Sequence, residues 1–354
     1  MTITVAIQMD HVANIDISAD STFVLVLEAQ KRGYKTLHYV PNKLFMQDGT
    51  VLTKAGLLQV RREEGNHFNL GEVTELNLSD VDVILMRQDP PFDMAYITAT
   101  HLLERVHPET LVVNNPGEVR NAPEKLFVTQ FPEFMPPTLI ANDCERILAF
   151  RDEHRDIIIK PLYGNGGVGV FHITPDDENL NALLEMFSET YREPFILQKY
   201  LSDVRNGDKR IILIDGKVAG ATNRIPALGE ARSNLHVGGQ PTKTKLTSKE
   251  HEICEALGPE LKSRGLIFVG IDVIGGMLTE INVTSPTGIQ EINRFNNVSL
   301  ESDIWDAIES KLQEAGIEGL WLKAAPVLSR YAQSPRKMER NPIYVRDRHG
   351  SSSK

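Results

Sequence analysis

Two carboxylates and an amide in the second half of the chain could together hold a metal ion. The stretch VGIDVIGGMLTEINV places Asp272 on one predicted strand and Glu280 and Asn282 on the next, with a Gly-Gly turn between them. Side chains two apart on a strand share a face. Hard oxygen ligands of this kind suit Mg²⁺, which keeps several waters and bridges substrate phosphates. The alternative is a polar strand face turned to solvent, which the interleaved isoleucines and valines disfavour because they already supply a buried face.

The segment KPLYGNGGVGVF, residues 160–171, contains a G-x-G-x-x-G motif at Gly164, Gly166 and Gly169, with Gly167 between them. A dinucleotide fingerprint needs a strand before this motif and a helix after it. The run 157–159 supplies the strand, but β-type residues also follow the glycines, so a hairpin is predicted instead. The bare backbone N–H groups of such a hairpin can close over anionic oxygens. The motif therefore favours a phosphate-binding hairpin, with a plain structural hairpin as the alternative.

Basic side chains that could neutralise phosphate recur along the same region. Lys125 lies in the first turn of a predicted helix, and Lys160 closes the strand before the glycines. Asp208 and Arg210 open a further strand, and Arg224 ends a later one. Several arginines around a cleft suit a reaction in which phosphoryl charge develops. A single lysine is more often a solvated surface residue, so the hypothesis depends on these side chains meeting in the fold.

The elements that must position these groups begin with a βαβ pattern in the first 120 residues. Strands are predicted at 2–9, 35–40, 81–86 and 111–114, and helices at 22–32 and 95–106. The pattern predicts a mostly parallel sheet, and ligands collect where its strands end. Those ends carry Asp10 and Asn14 after the first strand, and Arg87 and Asp89 after residue 86. The alternative for the second pair is that Arg87 only pairs with Asp89 beside a stiff Pro-Pro turn.

After residue 121 the pattern changes. Helices are predicted at 144–154, 248–264 and 302–315, hairpin-rich blocks at 157–174 and 195–222, and strands at 268–274 and 278–283. Gln198, Lys199, Tyr200 and Leu201 follow a strand at the edge of the same cleft. Residues 227–240 are glycine-bearing and aperiodic, which predicts a mobile loop that carries Arg232 and Asn234. Residues 319–354 hold eight Lys or Arg against one Glu and one Asp, which predicts disorder or a loosely docked extension.

Length, charge and cysteine content exclude several classes of protein. The 354 residues allow two or three domains, and a net charge of −10 argues against general nucleic-acid binding. Two cysteines without a C-x-x-C motif argue against a disulfide framework or a zinc site and fit a reducing cytoplasm. The N-terminus lacks the features of a signal peptide, and no run approaches the roughly 18 apolar residues of a membrane span. We therefore expect a cytoplasmic protein with neither nucleic acid nor membrane as a partner.

The order and spacing of these motifs resemble those of the ATP-grasp superfamily. Lys125, Lys160 with its glycines, Asp208-Lys209-Arg210, and Asp272 with Glu280-x-Asn282 follow its pattern. From about residue 1 to 316 the chain is similar to the bacterial type of glutathione synthetase. The motifs that carry this similarity are LMRQDPPFD at 85–93, EKLF at 124–127, GDKR at 207–210 and TEINVTSPT at 279–287. The last of these is specific.

The resemblance implies an α/β fold in which an N-terminal Rossmann-like (pre-ATP-grasp) parallel sheet domain is followed by a two-lobed ATP-grasp fold. It implies a substrate-binding domain at 1–121, a central or lid subdomain at 122–201 and a catalytic subdomain at 202–316, with no role for 317–354. It implies ATP with Mg²⁺ or Mn²⁺ as cofactors, γ-glutamylcysteine and glycine as substrates, and a homodimer or homotetramer. The dipeptide's cysteinyl carboxylate would become an acylphosphate that the glycine amine attacks, giving glutathione, ADP and phosphate.

The resemblance also implies roles for individual residues. Catalysis is expected from Arg210, Arg232 and Asn234, and metal binding from Asp272, Glu280 and Asn282. The residues expected to bind ATP are Lys125, Lys160, Gly164, Gly166, Gly167, Gly169, Gln198, Lys199, Tyr200, Leu201 and Asp208. Those expected to bind the dipeptide or glycine are Asp10, Asn14, Arg87, Asp89, Arg224, Ser285 and Thr287.

Two other functions stay open at the level of sequence. One is a different ATP-grasp ligase, of the D-alanine–D-alanine or glutamate type. The other is a regulatory module that binds ATP but has lost the reaction. The intact set of Arg210, Asp272, Glu280 and Asn282 argues against the regulatory module.

Overall fold

The computed structural model of the protein describes residues 2–230, 232–233 and 238–329. The chain forms two compact units, Met1–Leu312 and Gln313–Lys354. The described strands make three sheets of seven, four and five strands that follow one another along the first unit. No helix in the described ranges is long and apolar enough to cross a membrane.

The first sheet has the parallel centre that the βαβ pattern predicts. Its elements are β1 (Thr4–Gln8), β2 (Lys35–Tyr39), β3 (Phe45–Gln47), β4 (Thr50–Val60), β5 (Phe68–Asn77), β6 (Val83–Met86) and β7 (Leu111–Val113), with helices α1 (Ser21–Lys31), α2 (Met94–Leu103) and α3 (Pro116–Asn121). Strands β2, β1, β6 and β7 are parallel neighbours. Strands β3, β4 and β5 form an antiparallel extension beside β2, which the sequence analysis did not predict.

The second sheet is antiparallel, in the order β10-β9-β11-β8. The elements of this part of the chain are α4 (Glu124–Phe127), which packs on a strand of the third sheet, β8 (Thr138–Ala141), α5 (Cys144–His154), β9 (Ile157–Pro161), β10 (Phe171–Ile173), α6 (Leu180–Thr190) and β11 (Phe195–Lys199). Ile147, Ile159, Phe187 and Phe195 belong to a hydrophobic core formed by this part of the chain alone. The predicted hairpin around the glycines is confirmed, since Phe171 pairs with Ile159 in antiparallel register.

The third sheet is also antiparallel, in the order β14-β13-β12-β15-β16. Its elements are β12 (Asp208–Ile214), β13 (Lys217–Ile225), β14 (Gln240–Lys243), α7 (Ser248–Ser263), β15 (Phe268–Ile274), β16 (Met277–Asn282), α8 (Ile289–Asn296) and α9 (Leu300–Ser329). It shares its core with the first sheet: Ile212, Phe268 and Trp305 cluster with Val5 and Ile7.

Three expectations from the sequence bear on these boundaries. The domain limits at 121 and 201 fall between sheets but stay predictions. Helix α9 continues past residue 316 to Ser329, so the expected extension begins as helix, and residues 330–354 lie outside the described part. The mobile loop predicted at 227–240 also lies partly outside the described residues, and Asn234 is one of the residues outside them.

The packing of α9 predicts which part of the chain stabilises the fold. Trp305 is fully buried, donates its indole N–H to the Leu25 carbonyl (2.9 Å) and lies edge-on to Tyr34. Trp305→Ala should lower the free energy of unfolding by about 3–5 kcal/mol because it opens a cavity and removes a hydrogen bond. A chain that ends at Gly316 should unfold at the same denaturant midpoint as the full chain. A midpoint as low as that of Trp305→Ala would show that later residues contribute to the fold.

Candidate active site

A cavity of about 990 Å³ is lined by residues from all three sheets. It brings together most of the residues singled out from the sequence. These are Asp10, Asn14, Asp89, Lys125, Lys160, Gly164, Gly166, Gly167, Gln198, Lys199, Tyr200, Leu201, Asp208, Arg210, Arg224, Arg232, Asp272, Glu280, Asn282, Ser285 and Thr287. Arg87 and Gly169 do not line it.

The candidate metal ligands lie side by side on two paired strands. Asp272 on β15 is directly opposite Glu280 on β16, and the Asn282 amide nitrogen donates to Asp272 Oδ2 (3.3 Å). The shared strand face that the spacing predicted is present, and it faces the cavity instead of bulk solvent. The described residues contain no group of three or more His, Cys, Asp or Glu side chains that could hold a metal. Any cation here would depend on two carboxylates, an amide oxygen and ligands from outside the protein.

Two lysines from different elements converge on Glu280. Lys160 on β9 lies 3.0 Å from Glu280 Oε1, and Lys125 on α4 lies 3.5 Å from the same oxygen. Lys125 also donates to the carbonyl of Gly164. Burial opposes the charged form of Lys125, but Glu280 and Glu124 outweigh it and raise its pKa. Burial likewise opposes the charge on Glu280, yet the two lysines hold its pKa below the usual range. Both lysines are therefore buried beside an ionised carboxylate, and both line the cavity.

Two arginines converge on Asp272. Arg210 donates to both carboxylate oxygens, from Nε to Oδ1 (2.6 Å) and from Nη2 to Oδ2 (3.0 Å). Arg224 lies 3.0 Å from Oδ1 and also pairs with Asp208. Burial alone would raise the pKa of Asp272, but the two guanidinium groups hold it well below its ordinary value. The pKa of Asp208 is raised, mainly by burial, and Ser233 donates to its Oδ2 (2.7 Å).

The glycines fulfil a backbone requirement at the edge of the cavity. Gly166, Gly167 and Gly169 all have positive φ, between 61° and 82°. A Cβ at Gly169 would lie 2.9 Å from the Pro161 ring, so this position shapes the hairpin even though it does not line the cavity. Arg232 donates from Nη1 to the Gly167 carbonyl (3.2 Å), which joins the segment after β13 to the glycine hairpin.

Arg87 has a different place from the one its position after β6 suggested. Its side chain is buried behind the cavity wall, donates to Thr22 Oγ1 (3.1 Å) and the Pro286 carbonyl (2.9 Å), and packs over the Phe268 ring. Ser285 donates back to the Arg87 carbonyl (3.2 Å). Arg87 therefore fixes the loop that carries Ser285 and Thr287, instead of facing the cavity itself.

The cavity also contains polar residues that the sequence analysis did not assign to it. Glu124, Asp20, Ser233 and Glu291 all line it. Glu124 lies in the EKLF motif beside Lys125, so its place in the cavity could have been predicted from that neighbour. The other three are isolated acids or a serine whose place depends on contacts between distant segments.

A solved structure shows the class of fold to which this chain belongs. A solved structure of the ATP-grasp ligase PsnB, complexed with a precursor peptide and AMPPNP, superposes with a TM-score of 0.57 at 16% identity, covering 88% of this chain and 99% of that one. At this identity the likeness shows the fold alone. The chain therefore has the ATP-grasp fold.

The particular family follows from closer relatives. The models of the prokaryotic glutathione synthetase N-terminal domain and ATP-grasp domain match residues 3–120 and 124–297. A glutathione synthetase of Brucella melitensis is 58% identical over 88% of this chain and 100% of its own length. One of Agrobacterium fabrum is 59% identical over 87% and 96%. The chain belongs to the prokaryotic glutathione synthetase family and is an ATP-dependent ligase.

Proposed function

We propose that this chain joins glycine to γ-glutamylcysteine with ATP as the energy source. The γ-phosphoryl group of ATP is transferred to a cysteinyl carboxylate oxygen as the bond to ADP breaks. The glycine amine then attacks the acyl carbon, the C–N bond forms, and phosphate leaves with loss of a proton from nitrogen. Phosphorylation is needed because a free carboxylate is a poor electrophile.

The observation that supports this proposal most directly is that two groups of polar side chains line one cavity. In the first group, called the basic part here, Lys125, Lys160, Arg210 and Arg224 lie beside their carboxylate partners and suit phosphate and developing phosphoryl charge. A separate wall, with Asp10, Asn14 and Asp89, comes from the first sheet and can hold a second, polar substrate. An enzyme that activates one substrate with ATP needs both parts within reach of each other.

Within the basic part, the residues present suit Mg²⁺ or Mn²⁺ held by Asp272, Glu280 and Asn282. Two ionised carboxylates and an amide oxygen are hard ligands, and they lie next to the lysines that would take the phosphates. When bound, the ion supplies charge that offsets the triphosphate. Arg210 is placed to stabilise the transferring group, because its guanidinium reaches from Asp272 to the Thr287 carbonyl (3.3 Å). Gln198 to Leu201 would line the adenine end, and Ser285, Thr287 and Arg232 the reacting end.

The purified protein should release ADP only when γ-glutamylcysteine, glycine and Mg²⁺ are all present. D-Alanine as sole substrate should be rejected by about 10⁴-fold in kcat/KM, because the polar groups that read the dipeptide would be left unpaired. A coupled assay for ADP, with product identified by mass spectrometry, measures both. Turnover with D-alanine alone, or ADP release indifferent to glycine, would contradict this specificity and leave the ligase class intact. We also expect a homodimer or homotetramer, which analytical sedimentation would detect. The expected location of the protein is the cytoplasm.

A further inference from the structure

Glu291, on α8, is a carboxylate that none of the chemistry above uses. Its side chain lines the cavity, yet the residue is only 4% exposed and its Oε2 has no hydrogen-bond partner within the described ranges. A buried carboxylate oxygen without a partner is unfavourable, and native proteins rarely keep one without a reason. Burial raises the pKa of Glu291 and the Asp16 carboxylate adds to this, while a backbone N–H of Glu291 and the charge of Arg294 only partly offset the rise.

A second acid lines the same cavity and is held to the same helix. Asp20 caps α1 through a bond from the Phe23 N–H to Oδ1 (2.6 Å). Gln290, the neighbour of Glu291, donates its amide N–H groups to the carbonyls of Asp20 (2.7 Å) and Ile17 (3.1 Å). These bonds tie the segment before α1 to the first turn of α8, and so fix both acids on the wall that Asp10 and Asp89 also line.

We propose that Glu291 and Asp20 bind the α-ammonium group of the γ-glutamyl end of the dipeptide, an inference that rests on the proposed function. The acids on this wall do not form a group of three or more that could hold a metal ion, as far as the described residues extend. An ammonium group needs only two or three acceptors, and it would give Glu291 Oε2 the partner that this atom lacks among the described residues.

This assignment explains how the enzyme presents the correct carboxylate. The dipeptide has two free carboxylates, but only the cysteinyl one becomes activated. An ammonium group held at the acidic wall fixes the glutamyl end there, and leaves the cysteinyl carboxylate free to reach Arg210 and the phosphates. Glu291 and Asp20 are in this account specificity-determining residues that do not touch the reacting atoms.

The test compares γ-glutamylcysteine with N-glutarylcysteine, which lacks only the ammonium group. Wild-type enzyme should prefer γ-glutamylcysteine by about 10²-fold or more in kcat/KM. Glu291→Gln should reduce that preference to within roughly tenfold, mainly by raising the KM for γ-glutamylcysteine, with little change for N-glutarylcysteine or ATP. Asp303→Asn, an exposed carboxylate-to-amide change on α9, should keep the wild-type preference.

The outcomes separate this inference from the proposed function. Equal kcat/KM for the two dipeptides in the wild type, or an unchanged preference in Glu291→Gln, would overturn the ammonium site while the ligase activity stands. Failure of the wild type to use γ-glutamylcysteine with glycine would overturn the proposed function itself. If Glu291→Gln does not fold, Asp20→Asn keeps an oxygen that can cap α1 and should lower the same preference.

Discussion

Replacing Arg210 with lysine is expected to lower kcat by about 10²–10³-fold while the protein stays folded. Arg210 donates to both oxygens of Asp272 and, from Nη1, to the Thr287 carbonyl. It therefore spans the gap between the candidate metal ligands and the loop expected to hold the substrates. Lysine preserves the charge but not the planar fork, so it cannot keep both ends of this bridge.

The loss should appear in kcat and kcat/KM together, with the KM for ATP nearly unchanged, because the interaction is realised mainly in the transition state. Thermal unfolding should confirm that the variant is folded, since lysine can still pair with Asp272. Arg120→Lys is the matched control: Arg120 pairs with Glu104 (2.9 Å) and does not line the cavity. Activity of Arg210→Lys within tenfold of the wild type would remove Arg210 from the catalytic group.

The parts of the site that the sequence predicted are those determined by local spacing. Glu280 and Asn282 share a strand face because they are two apart. The register set by the Gly-Gly turn would pair Asp272 with Thr279, and a bulge between Asp272 and Val273 brings it opposite Glu280 instead, which the spacing did not predict. The glycine hairpin was predictable for the same reason, since β-type residues flank the glycines on both sides. For the shared strand face and for the hairpin, a few adjacent residues are enough to predict the local structure.

The parts that it did not predict depend on distant contacts or on weak periodicity. Strand β4 has a bulge between Gly56 and Leu58 that breaks the two-residue repeat, and β5 is mostly exposed and polar. Arg87 sits at a strand end, where a ligand contact was expected, but its partners are in α1 and at Pro286, about 200 positions away in the sequence. No local pattern shows which way such a side chain turns, and the same holds for Glu291 on the unpredicted helix α8.

Glu280→Gln should lower turnover by roughly 10³-fold, because it removes a charged ligand from the expected metal site. Glutamine has nearly the same shape, so the change tests charge more than packing. The concentration of Mg²⁺ needed for half-maximal activity should rise as well. Glu252→Gln is the control, because Glu252 is exposed and forms a surface pair with Lys249 (3.1 Å). Near-normal turnover at ordinary Mg²⁺ concentration would show that Glu280 is not a metal ligand.

A second measurement distinguishes two possible roles of Glu280: a metal ligand, or only a counter-ion that holds Lys125 and Lys160 in place. Without nucleotide, Glu280→Gln leaves Lys125 and Lys160 close together with their shared counter-ion gone, so the free protein should be less stable. Without Mg²⁺, however, ATP should bind the variant at least as tightly as the wild type, because a carboxylate that repels the phosphates has been removed and both lysines are free to meet them. Calorimetry with and without Mg²⁺ measures this directly. If Glu280 is a metal ligand, Glu280→Gln should lose turnover while its affinity for ATP without Mg²⁺ rises or stays the same. Weaker ATP binding both with and without Mg²⁺ would mean that Glu280 acts only by holding the lysines in place.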